Sequence, residues 1–375
     1  MISFNEPYIS EDFKEIISDL ISRNKLSGNG HYTNLCQQYF QDILGGSNLL
    51  TTSCTDALEM SAILLDIKQD DEVIMPSYTF VSTANAFALR GAKIVFCDSS
   101  SDNPNISEEN IEALITSKTK AIVAVHYAGV SCNMDKINEI ARKYNIFVVE
   151  DVAQAIFSEY KNKRCGTLSD LSAFSFHETK NIISGEGGLL QINNSIFKKR
   201  AEIIWEKGTN RTSFLRGEVK KYEWVDIGSS FLPSELNAAM LYSQLLKSEY
   251  IQKRRNEIWN SYNEGLKRLE EEGLLALMKV PDYATHNAHI FYFLAKNINK
   301  RNQLIDYLRE KEIYALFHYQ SLHKSPYFLS QNTYKQLPNA ERFEDCLLRL
   351  PLHLHLSDND INQITETIYK FYGRN

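Results

Sequence analysis

The chain has 375 residues, 43% of them hydrophobic and 23% charged, with a formal net charge of −6. These are the proportions of an ordinary globular protein, too long for one small core and without the basic field that polynucleotide binding needs, so no nucleic-acid partner is expected. The acids in MISFNEPYISEDFKEI, where a signal peptide would be basic, and the lack of any apolar run of roughly 18 residues predict a cytoplasmic chain with no membrane partner.

Helical periodicity covers Glu11–Ser22 and Tyr32–Ile43, then a short strand is predicted near Asn48–Thr51 and a helix opening at Ser53. Apolar runs follow at Glu72–Met75, Lys93–Phe96, Ala121–Val125 and Ile146–Val149, separated by helical stretches at Val81–Leu89, Glu108–Ile115 and Met134–Lys143. Short Val- and Ile-rich runs alternating with helices predict an α/β fold whose mainly parallel sheet is covered on both faces. Two more β-like segments, Leu171–Phe176 and Gly188–Ile192, flank HETKNIISGEGG and frame a candidate active loop. A helix over Ser195–Glu206 comes next. From Pro233 to about Glu272 a very long helical pattern, with Pro-Ser-Glu at its first turn, is expected to join a large domain (1–245) to a small C-terminal α+β domain (246–375). In the latter a strand-like run, Ile290–Leu294, accompanies helices at Arg301–Lys311 and Asp358–Phe371. The six cysteines, at 36, 54, 97, 132, 165 and 346, form no C-x-x-C pair, so neither a metal site nor a disulfide framework is expected and buried thiols are.

The sharpest chemical signal is Asp151, in VVEDVAQ at a strand end, with Lys180 in FSFHETKN. Pyridoxal 5′-phosphate (PLP) requires both residue types: it is held as an imine of a lysine amine, and a carboxylate keeps its pyridine nitrogen protonated so that the ring accepts electrons. Once displaced, the same lysine can shuttle the proton. A solitary lysine is ordinarily a surface charge and a solitary aspartate a helix cap, so the pair carries the reading. Thr51-Thr52-Ser53-Cys54-Thr55-Asp56, between strand and helix, suits a phosphate at a helix amino terminus, and equally suits plain capping by Ser53 or Thr55. Ser175 adds a hydroxyl five residues before Lys180; Tyr78 or Phe80 could stack on a flat ring or belong to the core. Gly28 and Gly30 lack the spacing and preceding strand of a dinucleotide fingerprint.

At these residues the sequence resembles the DegT/StrS family of nucleotide-sugar aminotransferases, through TTSCTDALEM, QDDEVIMPSYTFVSTANAFALRGAKIVF, VHYAGV, VVEDVAQ, FSFHETKN, GEGG, EKGTNR, DIGSSF, SELNAA, NAHIFYF, FHYQSLH and RLPLH. The resemblance implies the aspartate aminotransferase fold (fold type I), PLP as cofactor, Lys180 as the Schiff-base lysine and Asp151 as partner of the pyridine nitrogen. It also implies Gln154 near the ring hydroxyl, Phe80 as the stacking aromatic, and Cys54, Thr55 and Ser175 at the phosphate. His318, Tyr319 and His323, in the loop FHYQSLH, are candidate substrate contacts, although a loop histidine as readily serves as a local hydrogen-bonder; a homodimer with shared sites is implied, in which Ser230 of DIGSSF would reach the partner's phosphate. Ser230 stands where relatives often have asparagine, Ser321 where they often have proline, and Val152 where they often have alanine.

EKGTNR, KYEWVDIGSS and FSFHETKN are most similar to members that make dTDP-4-amino-4,6-dideoxygalactose from dTDP-4-dehydro-6-deoxyglucose, with L-glutamate the usual family donor. A sister transaminase giving the gluco epimer or acting on a 3-keto sugar remains open. A PLP-dependent sugar 3-dehydratase would carry histidine in place of Lys180, and a non-catalytic binding module of this fold is the alternative from another class.

Overall fold

The first long-range order comes from seven short strands that the chain lays side by side. The computed structural model describes residues 1–374. The strands are β1 (Ser47–Thr51), β2 (Glu72–Pro76), β3 (Lys93–Cys97), β4 (Thr119–Val125), β5 (Phe147–Asp151), β6 (Leu171–Ser175) and β7 (Gly188–Ile192), in the order β1-β7-β6-β5-β4-β2-β3. β7 alone runs against its neighbours; the pairings β6-β5, β5-β4, β4-β2 and β2-β3 are parallel. β2, β6 and β7 are buried at every residue, the burden of a sheet with helices on both faces.

The crossover helices begin and end on local signals. Helix α3 (Cys54–Leu64) starts at Ser53, whose hydroxyl accepts from the Asp56 amide at 3.1 Å. Helix α5 (Met134–Tyr144) is capped by the Asn133 side chain and stops at Asn145, which adopts the left-handed conformation. Between them lies α4 (Val81–Ala88), whose N-cap is Phe80, and after β7 comes α6 (Lys198–Trp205). Glu108–Ile115 is helical only to Ile111, then tightens into a 3₁₀ turn through Leu114.

The long helix expected from Pro233 to Glu272 is two helices, α7 (Glu235–Leu245) and α8 (Ser248–Glu271), broken at Leu246-Lys247. Neither Gly nor Pro marks the break; packing imposes it. α7 is buried over most of its circumference beneath α1 (Phe13–Ser22) and α2 (His31–Leu44), whereas α8 is amphipathic and turns its apolar stripe, including Ile258, Tyr262 and Leu266, to the C-terminal elements. One straight rod could not satisfy both.

Glu235, the first residue of α7, is 1% exposed and caps α2 across the molecule. Its carboxylate accepts from the amides of Gly30 (3.0 Å), Tyr32 (2.8 Å) and Thr33 (3.1 Å), and from the Thr33 hydroxyl. An anion on the free N–H groups of a helix start is favourable twice over, by hydrogen bonding and by the helix dipole. Here also lies the reason for the glycine pair: a Cβ on Gly30 would sit 2.6 Å from the Glu235 carboxyl carbon, and one on Gly28 2.3 Å from the Pro233 carbonyl oxygen. Glu235→Ala should therefore cost about 2–4 kcal/mol, since it strands several buried donors at once. Chemical denaturation reads this directly, and a midpoint unchanged from wild type would refute the cap.

Beyond α8 the chain forms a four-stranded antiparallel sheet from β8 (Leu275–Leu277), β9 (Phe291–Ala295), β10 (Leu316–Phe317) and β11 (Leu347–Leu350), ordered β8-β9-β11-β10. It packs with α9 (Ile298–Glu310) and α10 (Asp358–Phe371). The buried apolar cluster passes without interruption from Val73, Val123 and Val149 of the large sheet to Phe291, Leu348 and Ile364. The amino terminus is sewn to this C-terminal part: the Ile2 amide donates to the Glu312 carbonyl at 2.7 Å and the Tyr314 amide to the Ile2 carbonyl at 3.1 Å. Among the described residues no helix is long and apolar enough to cross a membrane.

Candidate active site

Strands β5 and β6 end at a cavity of about 630 Å³, on the side of the sheet where parallel α/β proteins bind ligands. Asp151, the last residue of β5, and Ser175, the last of β6, both line it. Lys180 follows in a loop closed on itself by the Lys180 amide to the His177 carbonyl (2.9 Å), Glu178 to Gly185 (2.9 Å) and Ser184 to Phe176 (2.7 Å). Gly185 turns this loop at φ +77°, a conformation that favours glycine.

The two principal charges are tuned by their surroundings. The Asp151 carboxyl lies above the usual carboxylate range because burial disfavours its anion. Hydrogen bonds from the Thr83 hydroxyl (2.8 Å) and the Ala153 amide (3.1 Å), together with the Lys180 charge, oppose that shift. Burial likewise lowers the Lys180 ammonium below the usual lysine range, with Cys54 and Asp151 countering it. Among the described residues nothing hydrogen-bonds the Lys180 amine, so a lysine of reduced basicity faces open space.

Ser53, Cys54 and Thr55 line the same cavity at the start of α3. Ser53 is itself the cap, so capping and ligand reach coexist in one turn; the Cys54 and Thr55 amides, in the first helical turn, have no intrahelical acceptor. The Thr55 hydroxyl donates to Ser82 at 2.8 Å, which brings Ser82 to the site. β7 presses against this turn: a Cβ on Gly188 would come within 2.4 Å of the Ser53 carbonyl. Tyr78 is buried and spends its hydroxyl on the His318 carbonyl, while Phe80 lines the cavity with 55% of its surface exposed, leaving Phe80 as the aromatic free to stack.

Gln154 accepts from the Ala128 amide at 2.7 Å and donates to the Tyr319 hydroxyl at 2.9 Å. Tyr319, at φ +32°, is stacked on His318 with ring centroids 3.6 Å apart, and His318 shares a 2.6 Å hydrogen bond with Tyr127. Gln154, His318 and Tyr319 all line the cavity.

One residue expected in the chain's own site, His323, does not line it, and Ser230, expected to serve the partner's site, lies outside this one. His323 is 2% exposed, with Nδ1 bonded to Ser77 at 2.6 Å and Nε2 to Glu341 at 3.2 Å, so both ring nitrogens brace the loop against the large sheet. Ser230 is exposed in a bridge to Glu206, outside the cavity of its own chain. Residues not singled out by sequence reasoning complete the wall: Thr83, His289, Arg349, and Phe4 and Asn5 from the amino terminus. Thr83, His289 and Arg349 lie within segments that carry the family resemblance, MPSYTFVSTANA, NAHIFYF and RLPLH, and their types alone gave no sign of role.

A mainly parallel sheet with a lysine and an aspartate at its carboxyl ends, beside a helix start rich in hydroxyls, defines the class: fold type I, the fold of the PLP-dependent aminotransferases. The solved structure of the aminotransferase TlmJ from Streptoalloteichus hindustanus superposes with a TM-score of 0.91 at 28% identity, covering 100% of this chain and 99% of that one. The chain is 34% identical over 375 residues to the uncharacterized protein MJ1066 of Methanocaldococcus jannaschii (97% of this chain, 96% of that protein). It is 31% identical over 378 residues to the spore coat polysaccharide biosynthesis protein SpsC of Bacillus subtilis (98% and 96%). Residues 7–369 match the DegT/DnrJ/EryC1/StrS aminotransferase family, and the chain belongs to that family of sugar aminotransferases.

Proposed function

We propose that this sugar aminotransferase uses PLP to move the amino group of L-glutamate to C4 of dTDP-4-dehydro-6-deoxy-D-glucose, giving dTDP-4-amino-4,6-dideoxy-D-galactose and 2-oxoglutarate. The observation that carries the reading is the unbonded Lys180 amine in one cavity with Asp151 and the Ser53–Thr55 turn. PLP, when bound, supplies the electron sink that stabilises the carbanion left at the reacting carbon. Lys180 provides the attachment point and then moves the proton. Asp151, held by Thr83, would meet the pyridine nitrogen; the turn, with Ser175 and Ser82, would hold the phosphate; Phe80 would stack and Gln154 would hold the ring edge.

Arg349 supports anionic substrates, because it lines the cavity with its Nε buried and without a hydrogen-bond partner. His318 and Tyr319 are assigned to the sugar, and His323 to holding their loop. SpsC, by its name a polysaccharide-biosynthesis protein, supports a precursor sugar as acceptor. A homodimer fits the exposed Phe214, Leu215, Tyr222, Trp224 and Val225 on the stretch that carries Ser230, from which that hydroxyl would enter the partner's site. We place the enzyme in the cytoplasm, where nucleotide sugars are made.

Incubation with dTDP-4-dehydro-6-deoxyglucose, L-glutamate and PLP, followed by NMR of the product, tests the assignment. Small coupling between the protons at C4 and C5 together with one small coupling to C3 marks an axial amine and the galacto product. Large couplings identify the equatorial epimer and overturn the stereochemistry, and no turnover overturns the substrate.

A further inference from the structure

His289 lines the cavity, is 7% exposed, and is fixed from three sides. Its amide donates to Asn287 Oδ1 at 3.0 Å, and its carbonyl and that of Ala288 accept from the buried Arg255 guanidinium. Its ring Nδ1 lies 2.9 Å from Asn181 Oδ1. The orientation of the Asn181 amide is not ambiguous, because its Nδ2 donates to the Asn287 carbonyl at 2.8 Å, an atom that can only accept. The atom facing His289 is therefore the oxygen, and Nδ1 must carry the ring proton. Burial above all, with the positive charges of Lys180, Arg255 and Arg349, holds the imidazole well below its usual range, so the ring is neutral. Nε2 is then a bare lone pair, and among the described residues no protein group donates to it.

We infer that His289 offers Nε2 to the cavity as a hydrogen-bond acceptor for an N–H or O–H donor on the bound substrate, its tautomer set by Asn181, the residue next to Lys180. This rests on the aminotransferase reading above and adds a binding residue to it. An acceptor on the wall of a cavity loses its water when a ligand fills the space, so the position favours a ligand that brings a donor of its own. Two parts of the reactants could: the amine of the amino donor, or a hydroxyl beside the ketone of the sugar.

The tautomer is read without any turnover, by ¹⁵N NMR of protein labelled at histidine. A neutral ring protonated at Nδ1 is expected; a ring protonated at Nε2 overturns the inference. Two substitutions then separate binding from bracing. His289→Asn keeps a donor close to Nδ1 for Asn181 and deletes Nε2, whereas His289→Gln places an amide close to Nε2 and abandons Asn181. Expected is a loss of at least about tenfold in kcat/KM for His289→Asn with wild-type melting, and a smaller loss for His289→Gln. The opposite order makes His289 a brace alone and sinks the proposal. The half-reactions identify the donor: slower bleaching of the cofactor absorbance by L-glutamate in His289→Asn names the amine, slower recovery with dTDP-4-dehydro-6-deoxyglucose names the hydroxyl, and neither being slowed refutes the inference. Wild-type protein that bleaches with no amino acid would instead defeat the functional reading, with the tautomer still standing as a separate result.

Discussion

Lys180→Ala should lower amino transfer by about a thousandfold or more, the scale on which an attacking amine and a positioned proton carrier both disappear. No neighbour replaces it: among the described residues the cavity's other cations are Arg255, committed to main-chain carbonyls, and Arg349, a guanidinium that does not give up its proton. Lys180→Arg should be as inactive for the same reason. Because burial lowers the Lys180 ammonium, its neutral form is available at lower pH than in a free lysine. The acid limb of the half-reaction with the keto sugar, in which this amine is free, should accordingly fall below the normal lysine range. Single-turnover measurement with L-glutamate decides the matter, and an alanine variant retaining more than about one per cent of the rate would remove Lys180 from the chemistry. The variant should keep its fold, since its amine bonds to nothing and its deletion strands no partner.

The second large effect is expected at Asp151. Asp151→Asn preserves shape and one acceptor but not the charge, and should cost roughly 10²–10³ in kcat, the range found when a preorganised electrostatic partner is lost. The carboxyl already sits above its ordinary range, so the anion survives on the help of Thr83, Ala153 and Lys180. Thr83→Val deletes the largest of those helps. Its sign follows: with less stabilisation of the anion the Asp151 pKa climbs further, protonation begins at higher pH on acidification, and the acid limb of the rate profile moves upward. The pH profile of Thr83→Val beside wild type checks this; an unmoved limb, with Asp151→Asn near full activity, would separate the carboxylate from the reaction.

How far the sequence was legible depended on how local each cause was. The strands around Ile74, Val123 and Val149 announced themselves because a fully covered strand has to be apolar throughout, and Asp151 could be set at a strand end for the same reason. The break at Leu246-Lys247 carried no such mark; it answers to what α7 and α8 each pack against. β10 and β11 escaped because Leu316-Phe317 and Leu347–Leu350 are too short for periodicity to speak. In the site, Asp151 and Ser175 end neighbouring strands of one sheet, Lys180 sits in the loop that follows the second, and the three were found together in the sequence. Thr83, His289 and Arg349 come from three distant elements, and only folding puts them on one wall. His323 shows the converse: it stands in the same loop as His318 and Tyr319, yet its ring points into Ser77 and Glu341 rather than to the cavity.

The cavity's wall joins residues far apart along the polypeptide, Phe4 and Asn5 with Arg349, Leu350 and Leu352. Arg349 lies 4.8 Å from the Phe4 ring, and Ile2 closes onto Glu312 and Tyr314. During synthesis the large sheet, with Lys180 and Asp151, leaves the ribosome well before β11 does, and domains tend to fold as they emerge. A nascent chain would hold its reactive lysine in an unwalled cleft until the last strand docks. Competence thus arrives only once β11 has docked, and removal of Phe4 and Asn5 should reopen the wall that they share with Arg349.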